Sequence, residues 1–196
     1  MSVSPTPTMR ADAATNRQRV LTAGARLFSE YGVDATLNDV ARAAGVGVAT
    51  VYRNYPNRDA LLDDLFQAKL DQLIELADRA ASIGDASAAF DTYLYSVMQA
   101  HATDRGVVPV LMRANQSAQF AAELGAQLGP IVQPLIKSAQ AAGSVRDGFT
   151  IQDLCLLSAM VGSVADLTRD TQPGLWERYA HMLIDSTRPP STANGK

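Results

Sequence analysis

The chain has 196 residues, a formal net charge of −3 and 47% hydrophobic residues, which suits one globular domain or two small ones. This charge excludes a protein that is polycationic throughout, and a single cysteine excludes an intrachain disulfide bond. That residue, Cys155, lies in an apolar run that predicts a buried small hydrophobe, with a redox sensor as the lesser alternative.

Charge is unevenly distributed along the chain. Residues 10–58 carry seven Lys/Arg and four Asp/Glu, whereas residues 59–196 carry ten Lys/Arg and sixteen Asp/Glu. A basic front segment on an acidic body is typical of a protein that meets phosphate groups with one end only. Random scatter would also give an asymmetry of this size.

The amino-terminal residues 1–12 contain no apolar core, so they do not form a signal peptide, and we expect a disordered tail. Thr15 and Gln18 then form a capping-box pattern that predicts the start of a first helix. Gly32 is expected to end this helix. Its buried face is predicted from one-face spacing to comprise Val20, Leu21, Gly24, Leu27, Phe28 and Tyr31.

The next stretch predicts two short helices joined by a tight turn. Thr36 and Asp39 form a T-x-x-D helix start, and Gly45 stands where a helix end favours a residue that tolerates left-handed backbone. A second short helix is expected over Val48–Tyr55. Helix, Gly-containing turn and helix make the helix-turn-helix pattern, although the same pattern also occurs as a plain corner in all-α proteins.

The second short helix has a face that suits the major groove of DNA. Small residues permit close approach, donors reach base edges and phosphates, and carboxylates would be repelled by the DNA backbone. The face contains small, hydroxylated, aromatic and basic side chains and no acid: Val48, Ala49, Thr50, Tyr52, Arg53 and Asn54.

Residues 36–62, TLNDVARAAGVGVATVYRNYPNRDALL, resemble the DNA-binding domain of the tetracycline-repressor (TetR) family. The specific parts are D-V-A-x-x-A-G-V, T-V-Y and N-R-D-A-L-L, and the first helix also fits, so the resemblance covers residues 16–66. Pro56 and Asn54 depart from the basic residue and the histidine or aromatic that are common in the family. Both departures leave the operator sequence open.

The resemblance implies a homodimeric, ligand-responsive transcription factor, with a repressor preferred. Thr36 and Asn38 would touch phosphate at the start of the second helix. Arg53 would read base edges, and Arg58 would hold a phosphate. The predicted DNA-binding set is Thr36, Asn38, Val48, Ala49, Thr50, Tyr52, Arg53, Asn54 and Arg58.

A long fourth helix is expected over residues 57–81, linking the DNA-binding head to the body. The following helix, residues 86–103, has a regular apolar stripe, for which core packing is the simpler interpretation. The alternative is a cavity for a small, mostly apolar effector, since polar tips and a soft thioether on an apolar wall suit such a ligand. The candidate ligand-binding residues are Tyr93, Met98, His101, Met112 and Phe120.

Farther along, a short helix is expected over residues 106–114. Pro130 and Pro134 are expected to interrupt the next helix and bend the chain, which makes this region a second pocket candidate. Two final helices, from Ile151 and from Leu175, resemble the pair that forms the dimer interface in the family. Closing the monomer core is the alternative role for these two helices.

The sequence therefore predicts an all-α fold of about nine helices, with an N-terminal three-helix DNA-binding domain and a helical effector-binding and dimerisation domain. The longest apolar run, residues 154–165, is too short to span a bilayer, so we expect a cytoplasmic protein without a membrane contact. No metal spacing or phosphate loop argues for a cofactor or an enzyme. The predicted segments are a tail over 1–12, the DNA-binding domain over 13–58, the body over 59–187 and a tail over 188–196.

Two competing functions remain open at this stage. One is a protein of the same fold that binds DNA or a protein partner without any small-molecule effector. The other is a helical enzyme with an accidental two-helix corner, which would not bind DNA at moderate salt. The adjacent acids Asp63 and Asp64 are expected to form a solvated face rather than a catalytic pair, because neighbouring residues on a helix point in different directions.

Overall fold

The computed structural model of the protein describes residues 7–31, 35–103 and 118–190, and no strand occurs in these ranges. The side chains of residues 7–11, 29, 118–121, 123 and 124 lie outside the description as well. The predicted all-α class is confirmed. The described helices are α1 (Pro7–Tyr31), α2 (Leu37–Ala44), α3 (Val48–Asn54), α4 (Arg58–Ala81), α5 (Ala86–Thr103), α6 (Ala118–Ala141), α7 (Ile151–Thr168) and α8 (Leu175–Ser186).

Two sequence expectations fall outside these ranges. The short helix predicted over residues 106–114 lies in the gap between α5 and α6, and Gly32, the predicted end of α1, lies in the gap before α2. The described part of the chain therefore contains eight of the roughly nine predicted helices.

Helix α1 starts earlier than the sequence suggested. It begins at Pro7, so Thr15 lies inside the helix and residues 7–12 are helical, which corrects the predicted tail over 1–12. Proline is well tolerated in the first turn of a helix, where its missing N–H would have no intrahelical partner. The alanines, methionine and arginine that follow have high helix propensity, so no capping box is needed to begin the helix.

A capping box begins α2 as predicted, and a second capping box begins α7. The Thr36 hydroxyl accepts the Asp39 backbone N–H at 3.2 Å, and the Asp39 carboxylate accepts the Thr36 backbone N–H at 3.2 Å. Thr150 and Asp153 repeat the arrangement. Gly45 ends α2 with φ of 64°, a left-handed conformation that favours glycine.

The chain divides into two compact units, one reaching Ala68 and the other starting at Lys69. The division falls inside α4 rather than at its start. The first turns of α4 belong to the first unit because they pack on α1. A Cβ added at Gly24 of α1 would lie 3.2 Å from Leu61 Cδ2 and 3.6 Å from Leu65 Cδ1, so the absence of a side chain at Gly24 lets the two helices approach closely.

In the second unit, α5 packs against α6, α7 and α8. Phe90 and Leu94 of α5 are fully buried, and Phe90 meets Phe149 edge to face with ring centroids 5.5 Å apart. Gly162 of α7 lies against α5, where an added Cβ would be 3.3 Å from His101 Cβ. The absence of a side chain at Gly162 thus permits the close approach of α7 to α5.

Helix α6 is continuous from Ala118 to Ala141 with Pro130 and Pro134 inside it, so the predicted interruption is wrong. Each proline removes the hydrogen bond to the carbonyl four residues earlier, at Ala126 and Pro130. Both of these residues are exposed, so water can satisfy their carbonyls. The opposite face of α6 is held by a buried apolar row: Leu128, Val132, Leu135, Ile136 and Ala139.

The start of the predicted carboxyl-terminal tail is bound to the second unit. Arg188, predicted as the first residue of a disordered tail, donates to Asp91 Oδ2 at 2.5 Å and to the Ser144 carbonyl at 3.1 Å. The backbone N–H of Arg146 donates to the Thr187 carbonyl at 2.9 Å. The tail prediction is therefore wrong at Arg188, because a guanidinium with a carboxylate and a carbonyl in reach is ordered by them.

Helix α7 is the one described helix that is long and apolar enough to cross a membrane by length and composition. The sequence expectation rested on the shorter apolar core of this helix. One such helix is weak evidence for a span, because the core helix of a soluble protein passes the same test. In this chain α7 packs against α5 and α8.

Candidate nucleic-acid interface

Helix α3 is held on the first unit by one face. Val51 is fully buried and Tyr55, which follows the last helical residue, is 5% exposed. The Tyr55 backbone N–H donates to the Val51 carbonyl at 2.8 Å, which closes the end of the helix. Val51 and Tyr55 lie four residues apart, so they point to the same side, and the other side of α3 is left to solvent.

The solvent side of α3 carries the residues that the sequence assigned to DNA. Val48 is 46% exposed and Tyr52 is 45% exposed, although both side chains are large and hydrophobic. Ala49, Arg53 and Asn54 are exposed, and Thr50 is half-buried. The helix has no acid in its first turn and Arg53 in its last. An exposed surface of this composition suits contact with an anionic partner. It is not the composition expected of a surface that only faces water.

At the start of α2, the polar groups of Thr36 already form hydrogen bonds in the capping box with Asp39. The Thr36 hydroxyl donates to Asp39 Oδ2 at 2.6 Å, and hydrogen bonds from the Thr36 hydroxyl and backbone hold the pKa of Asp39 below its usual value. Thr36 and Asn38 are exposed, as phosphate contact requires. The carboxylate of Asp39 competes for the Thr36 groups that a phosphate would use, so Asn38 is the better placed of the two.

Arg58 is half-buried in the first turn of α4, with its guanidinium carbon 5.0 Å from the centre of the Phe28 ring. A guanidinium over an aromatic face at this distance makes a cation–π interaction. The sequence assigned Arg58 to a phosphate only. The structure adds a contact inside the first unit, between α4 and α1, and the phosphate role stays a prediction.

A network that the sequence did not predict connects α1, α4 and the end of α3. Tyr55 donates its hydroxyl to Asp64 Oδ2 at 2.5 Å, and Arg17 donates to the same oxygen through Nε at 2.9 Å. Arg17 Nη2 donates to the second oxygen, Oδ1. We refer to Arg17, Tyr55 and Asp64 as the Asp64 network. The expectation that Asp64 lies on a solvated face was wrong.

The ionisation of these groups follows from their contacts. Burial alone would raise the pKa of Asp64, but the hydrogen bonds from Arg17 and Tyr55 outweigh it, so this pKa lies below its usual value. Burial, followed by the hydrogen bond to Asp64, raises the pKa of Tyr55. Both shifts keep the carboxylate charged and the phenol protonated. A sequence signal existed, since Asp64 lies three residues after Leu61 and one before Leu65, both on the buried face of α4.

The candidate effector residues belong to the second unit, and the described ones are in its core. Tyr93 and Met98 are fully buried and His101 is 5% exposed, with His101 Nδ1 2.9 Å from the Val97 carbonyl. Burial raises the pKa of Tyr93. Met112 and the side chain of Phe120 lie outside the described residues. The burial of Tyr93, Met98 and His101 is therefore what the core-packing interpretation predicts.

Two grooves are found elsewhere in the second unit. One, of about 460 Å³, follows the exposed proline face of α6 and includes Gly125, Gln133 and Lys137. The other, of about 260 Å³, lies between the turn before α5 and Ile131 to Ser138 of α6. The proline region is thus concave, as the sequence suggested, although the helix is not interrupted.

Metal and thiol chemistry find no support in the part of the chain that the structure describes. No group of three His, Cys, Asp or Glu side chains is placed to hold a metal ion there. Burial raises the pKa of the Cys155 thiol, which disfavours the reactive thiolate. Cys155 is half-buried, so the prediction of a buried small hydrophobe is met only in part.

Residues 20–65 match the family model for bacterial regulatory proteins of the tetR family. Residues 85–188, more than half of the chain, match the model for the C-terminal domain of SbtR-like transcriptional regulators. An HTH-type transcriptional regulator of Staphylococcus aureus strain USA300 is 37% identical over 67 residues, which are 34% of this chain and 36% of that protein. The match therefore spans about a third of the length of the curated relatives.

Solved structures are similar over nearly the whole chain. A TetR transcriptional regulator from Streptomyces coelicolor is 26% identical with a TM-score of 0.61, covering 89% of this chain and 99% of that one. A TetR regulator from Mycobacterium vanbaalenii is 25% identical with a TM-score of 0.62, covering 92% and 99%. FadR from Bacillus subtilis, solved in complex with stearoyl-CoA, is 17% identical with a TM-score of 0.65, covering 85% and 97%, and shows a shared fold alone.

Proposed function

Because the chain belongs to the TetR family of bacterial regulatory proteins, we propose that it is a homodimeric cytoplasmic repressor that a small, mostly apolar molecule releases from a palindromic operator. The family consists of transcriptional regulators, so the chain is a DNA-binding regulator and not an enzyme. The DNA surface, the palindromic operator, the repressor role, the cytoplasmic location, the effector and the dimer are the parts that we propose.

The exposed face of α3 is the observation that carries the proposal. Val48 and Tyr52 remain about half exposed beside the exposed Arg53, while Val51 and Tyr55 hold the opposite side of the helix. A helix exposed in this way can enter a major groove with its small side chains and its hydrogen-bond donors directed toward the base edges. In this proposal Arg53 reads a base edge, and Asn38 and Arg58 contact phosphates beside the groove.

Exposed apolar side chains on α7 and α8 support the homodimer. Leu156 is 52%, Met160 54% and Leu167 85% exposed, and their spacing places them along one side of α7. On α8, Tyr179 and Met182 are 39% and 54% exposed. A row of large exposed hydrophobics is typical of a surface that another chain covers. A second copy of the same two helices would bury it and present two α3 helices to two half-sites.

The effector proposal rests on α4 and on the core around α5. Helix α4 is unbroken from Arg58 to Ala81, and the division into two units falls inside it. A molecule inserted beside Tyr93, Met98 and His101 would displace packed helices and move α4. Operator half-sites lie one DNA turn apart, about 34–36 Å, so a change in the spacing of two recognition helices would release the protein. The effector need only bind the released state better.

The first test is binding of the purified protein to the DNA upstream of its own gene and to a scrambled duplex, over a salt series. We expect a preference of about 10³ or more for one duplex, with affinity falling steeply as salt rises. Absence of binding to any DNA at low salt would overturn the proposed DNA surface. Equal weak binding to both would direct the search to operators elsewhere, by selection from random duplexes.

A second candidate is a DNA-binding regulator of the same family without a small-molecule effector. It is favoured by the packing of Tyr93, Met98 and His101, which are buried in the core rather than along either groove of the second unit. Stearoyl-CoA, which is present in the FadR complex, and a sterol are suitable first probes. Release of the operator by an apolar ligand supports the first candidate, and constant operator affinity across a broad apolar panel supports the second.

A further inference from the structure

Helix α3 is too short to define its own orientation. It has seven residues, and its amino-terminal cap, Gly47, makes no side-chain hydrogen bond to it. Isolated helices of this length are unstable in water, so tertiary contacts must hold it in place. Val51 supplies an apolar contact, which resists separation but has no directional preference. A directional contact has to come from elsewhere.

The Asp64 network supplies that directional contact. The Tyr55 hydroxyl, one residue beyond the end of α3, donates to Asp64 Oδ2 of α4 at 2.5 Å. Arg17 of α1 holds the same carboxylate through two nitrogens, which fixes its plane. Rotation of α3 about its own axis would pull the phenol away from Asp64. The Tyr55 ring is 5% exposed, so it has little room to follow.

We propose that Arg17, Tyr55 and Asp64 are positioning residues for DNA recognition, which fix the rotation of α3 so that Tyr52 and Arg53 face the groove. This inference rests on the proposed DNA-binding function. The three side chains contact one another rather than DNA, and they act through α3. Their loss leaves the recognition residues intact but lets α3 sample orientations that do not fit the groove.

The direction in which the DNA affinity changes on one substitution distinguishes a positioning role from a purely electrostatic effect. Removing a carboxylate near a DNA-binding surface reduces repulsion from phosphates and so strengthens binding. Asp63→Asn makes this change at an exposed neighbour on the same helix, and we expect equal or slightly tighter binding. Asp64→Asn removes the same charge from the network, and we expect binding about tenfold weaker, the size of a hydrogen-bonded charge contact.

A second set of variants tests the phenol. Tyr55→Phe keeps the buried ring and removes the hydroxyl, and we expect a loss of about tenfold in affinity. Tyr31 was predicted on the buried face of α1 but is 59% exposed, so Tyr31→Phe removes an exposed hydroxyl and serves as the matched control. The double variant of Tyr55→Phe with Asp64→Asn is expected to bind about as weakly as Asp64→Asn alone, because Asp64→Asn already removes the carboxylate that accepts the Tyr55 hydroxyl. Asp64→Glu keeps a carboxylate and is expected to restore most of the affinity.

The experiment uses the full chain and a duplex that the wild-type protein selects from a random pool. Affinity is measured at 25 °C for each variant, with circular dichroism showing that the folded fraction is unchanged. Amide hydrogen exchange of residues 48–55 is measured without DNA, and faster exchange in Tyr55→Phe with unchanged exchange in α5 to α8 is the expected result.

The outcomes distinguish the two levels of the proposal. Asp64→Asn binding as tightly as Asp63→Asn, with a selected duplex in hand, would overturn the positioning role and leave DNA binding intact. Failure of the wild-type protein to select any duplex would overturn the proposed function and the positioning role with it. Weakened binding of folded Asp64→Asn and Tyr55→Phe, restored by Asp64→Glu, supports the inference, since a contact that only stabilised the fold would leave the affinity of folded protein unchanged.

Discussion

Two arginines near the candidate interface are expected to act differently because their surroundings differ. Arg53 is exposed on α3, where its side chain can extend toward a ligand. Arg58 is half-buried, and its guanidinium lies over the Phe28 ring. Both side chains carry the same charge, so their different burial is what distinguishes their expected roles. Base recognition suits the first and a combined structural and phosphate role suits the second.

Arg53→Ala is expected to relax base preference at one position of the half-site. A good arginine–base contact contributes about 1–3 kcal/mol of discrimination, so the penalty for the wrong base should fall by that amount. Competition binding with duplexes substituted at single positions measures it. A uniform loss across all positions would instead place Arg53 on the DNA backbone.

Arg58→Ala is expected to weaken binding to all duplexes alike and to reduce the salt slope by about one unit. It should also lower the free energy of unfolding by roughly 0.5–1 kcal/mol through loss of the contact with Phe28. Arg53→Ala is the matched control for stability, because an exposed arginine should leave unfolding nearly unchanged. An unaltered salt slope in Arg58→Ala would assign the residue to the fold alone.

Asp64 should make the stability of the first unit depend on pH in the acid range. Its pKa is lowered in the folded state, so its contribution is fully present above the unfolded value of about 3.9 and is lost as pH falls through the folded value. Urea unfolding at pH 7 and pH 3 should therefore show a smaller loss in Asp64→Asn than in the wild type. Asp63→Asn, at an exposed site, should lose as much stability as the wild type.

At the scale of single helices, close approach depends on glycine at two interfaces. Gly24 lets α1 approach α4, and Gly162 lets α7 approach α5. Gly125 of α6, by contrast, has open space where a side chain would be. Glycine in a helix costs backbone entropy, so its presence at a packed interface is explained by the volume that any larger residue would occupy.

Gly162→Val is expected to destabilise the second unit by about 1–3 kcal/mol, the usual cost of overpacking. The added atoms would press on His101, whose Cβ and carbonyl oxygen lie 3.3 Å and 3.4 Å from an ideal Cβ. Gly125→Val makes the same change in open space and should be neutral or stabilising. Thermal unfolding of both variants compares them, and equal melting temperatures would mean that α5 and α7 separate easily.

At the scale of the whole molecule, the two units have different tasks. In the proposed function, the first presents a short, exposed helix to DNA, and a second copy covers the exposed apolar side chains of the second. One α3 helix gives a small contact area, so useful affinity requires two copies that bind together. Linking two weak sites raises affinity by about 10²–10⁴ without new contacts. In this proposal the exposed hydrophobics of α7 and α8 and the exposed face of α3 serve one function.

If the proposed homodimer forms through α7 and α8, Met160→Glu is expected to make the protein monomeric and to weaken operator binding by about 10² or more. A charge placed in an apolar interface loses its water, which costs several kcal/mol. Gln133→Glu, on an exposed position of α6, introduces the same charge away from α7 and α8 and should change neither property. Sedimentation and operator titration test both variants, and a Met160→Glu protein that remains dimeric would place the interface elsewhere.

Local chemistry determined most of the helices in advance. The hydroxyl–carboxylate pairs at Thr36 and Thr150 set the first residues of α2 and α7, and Gly45 set the end of α2. The set predicted on α3 followed from the residue types of that helix, which include no acid. These features depend on residues a few positions apart, so the sequence alone contains them. The sequence analysis missed the start of α1 and the continuity of α6. Neither feature depends on a capping residue or another strong local sequence signal.

Tertiary structure decided the contacts between residues that are far apart in the chain. Arg17 and Asp64 are 47 residues apart, and Asp91 and Arg188 are 97 apart. Whether such side chains meet depends on how helices pack, because packing sets which turn of one helix faces which turn of another. The sequence by itself therefore determined most of the helices, the family and the composition of the exposed face of α3. Only the folded chain decided that Asp64 meets Arg17 and Tyr55, because a carboxylate binds whatever donors the packing brings within 3 Å of it.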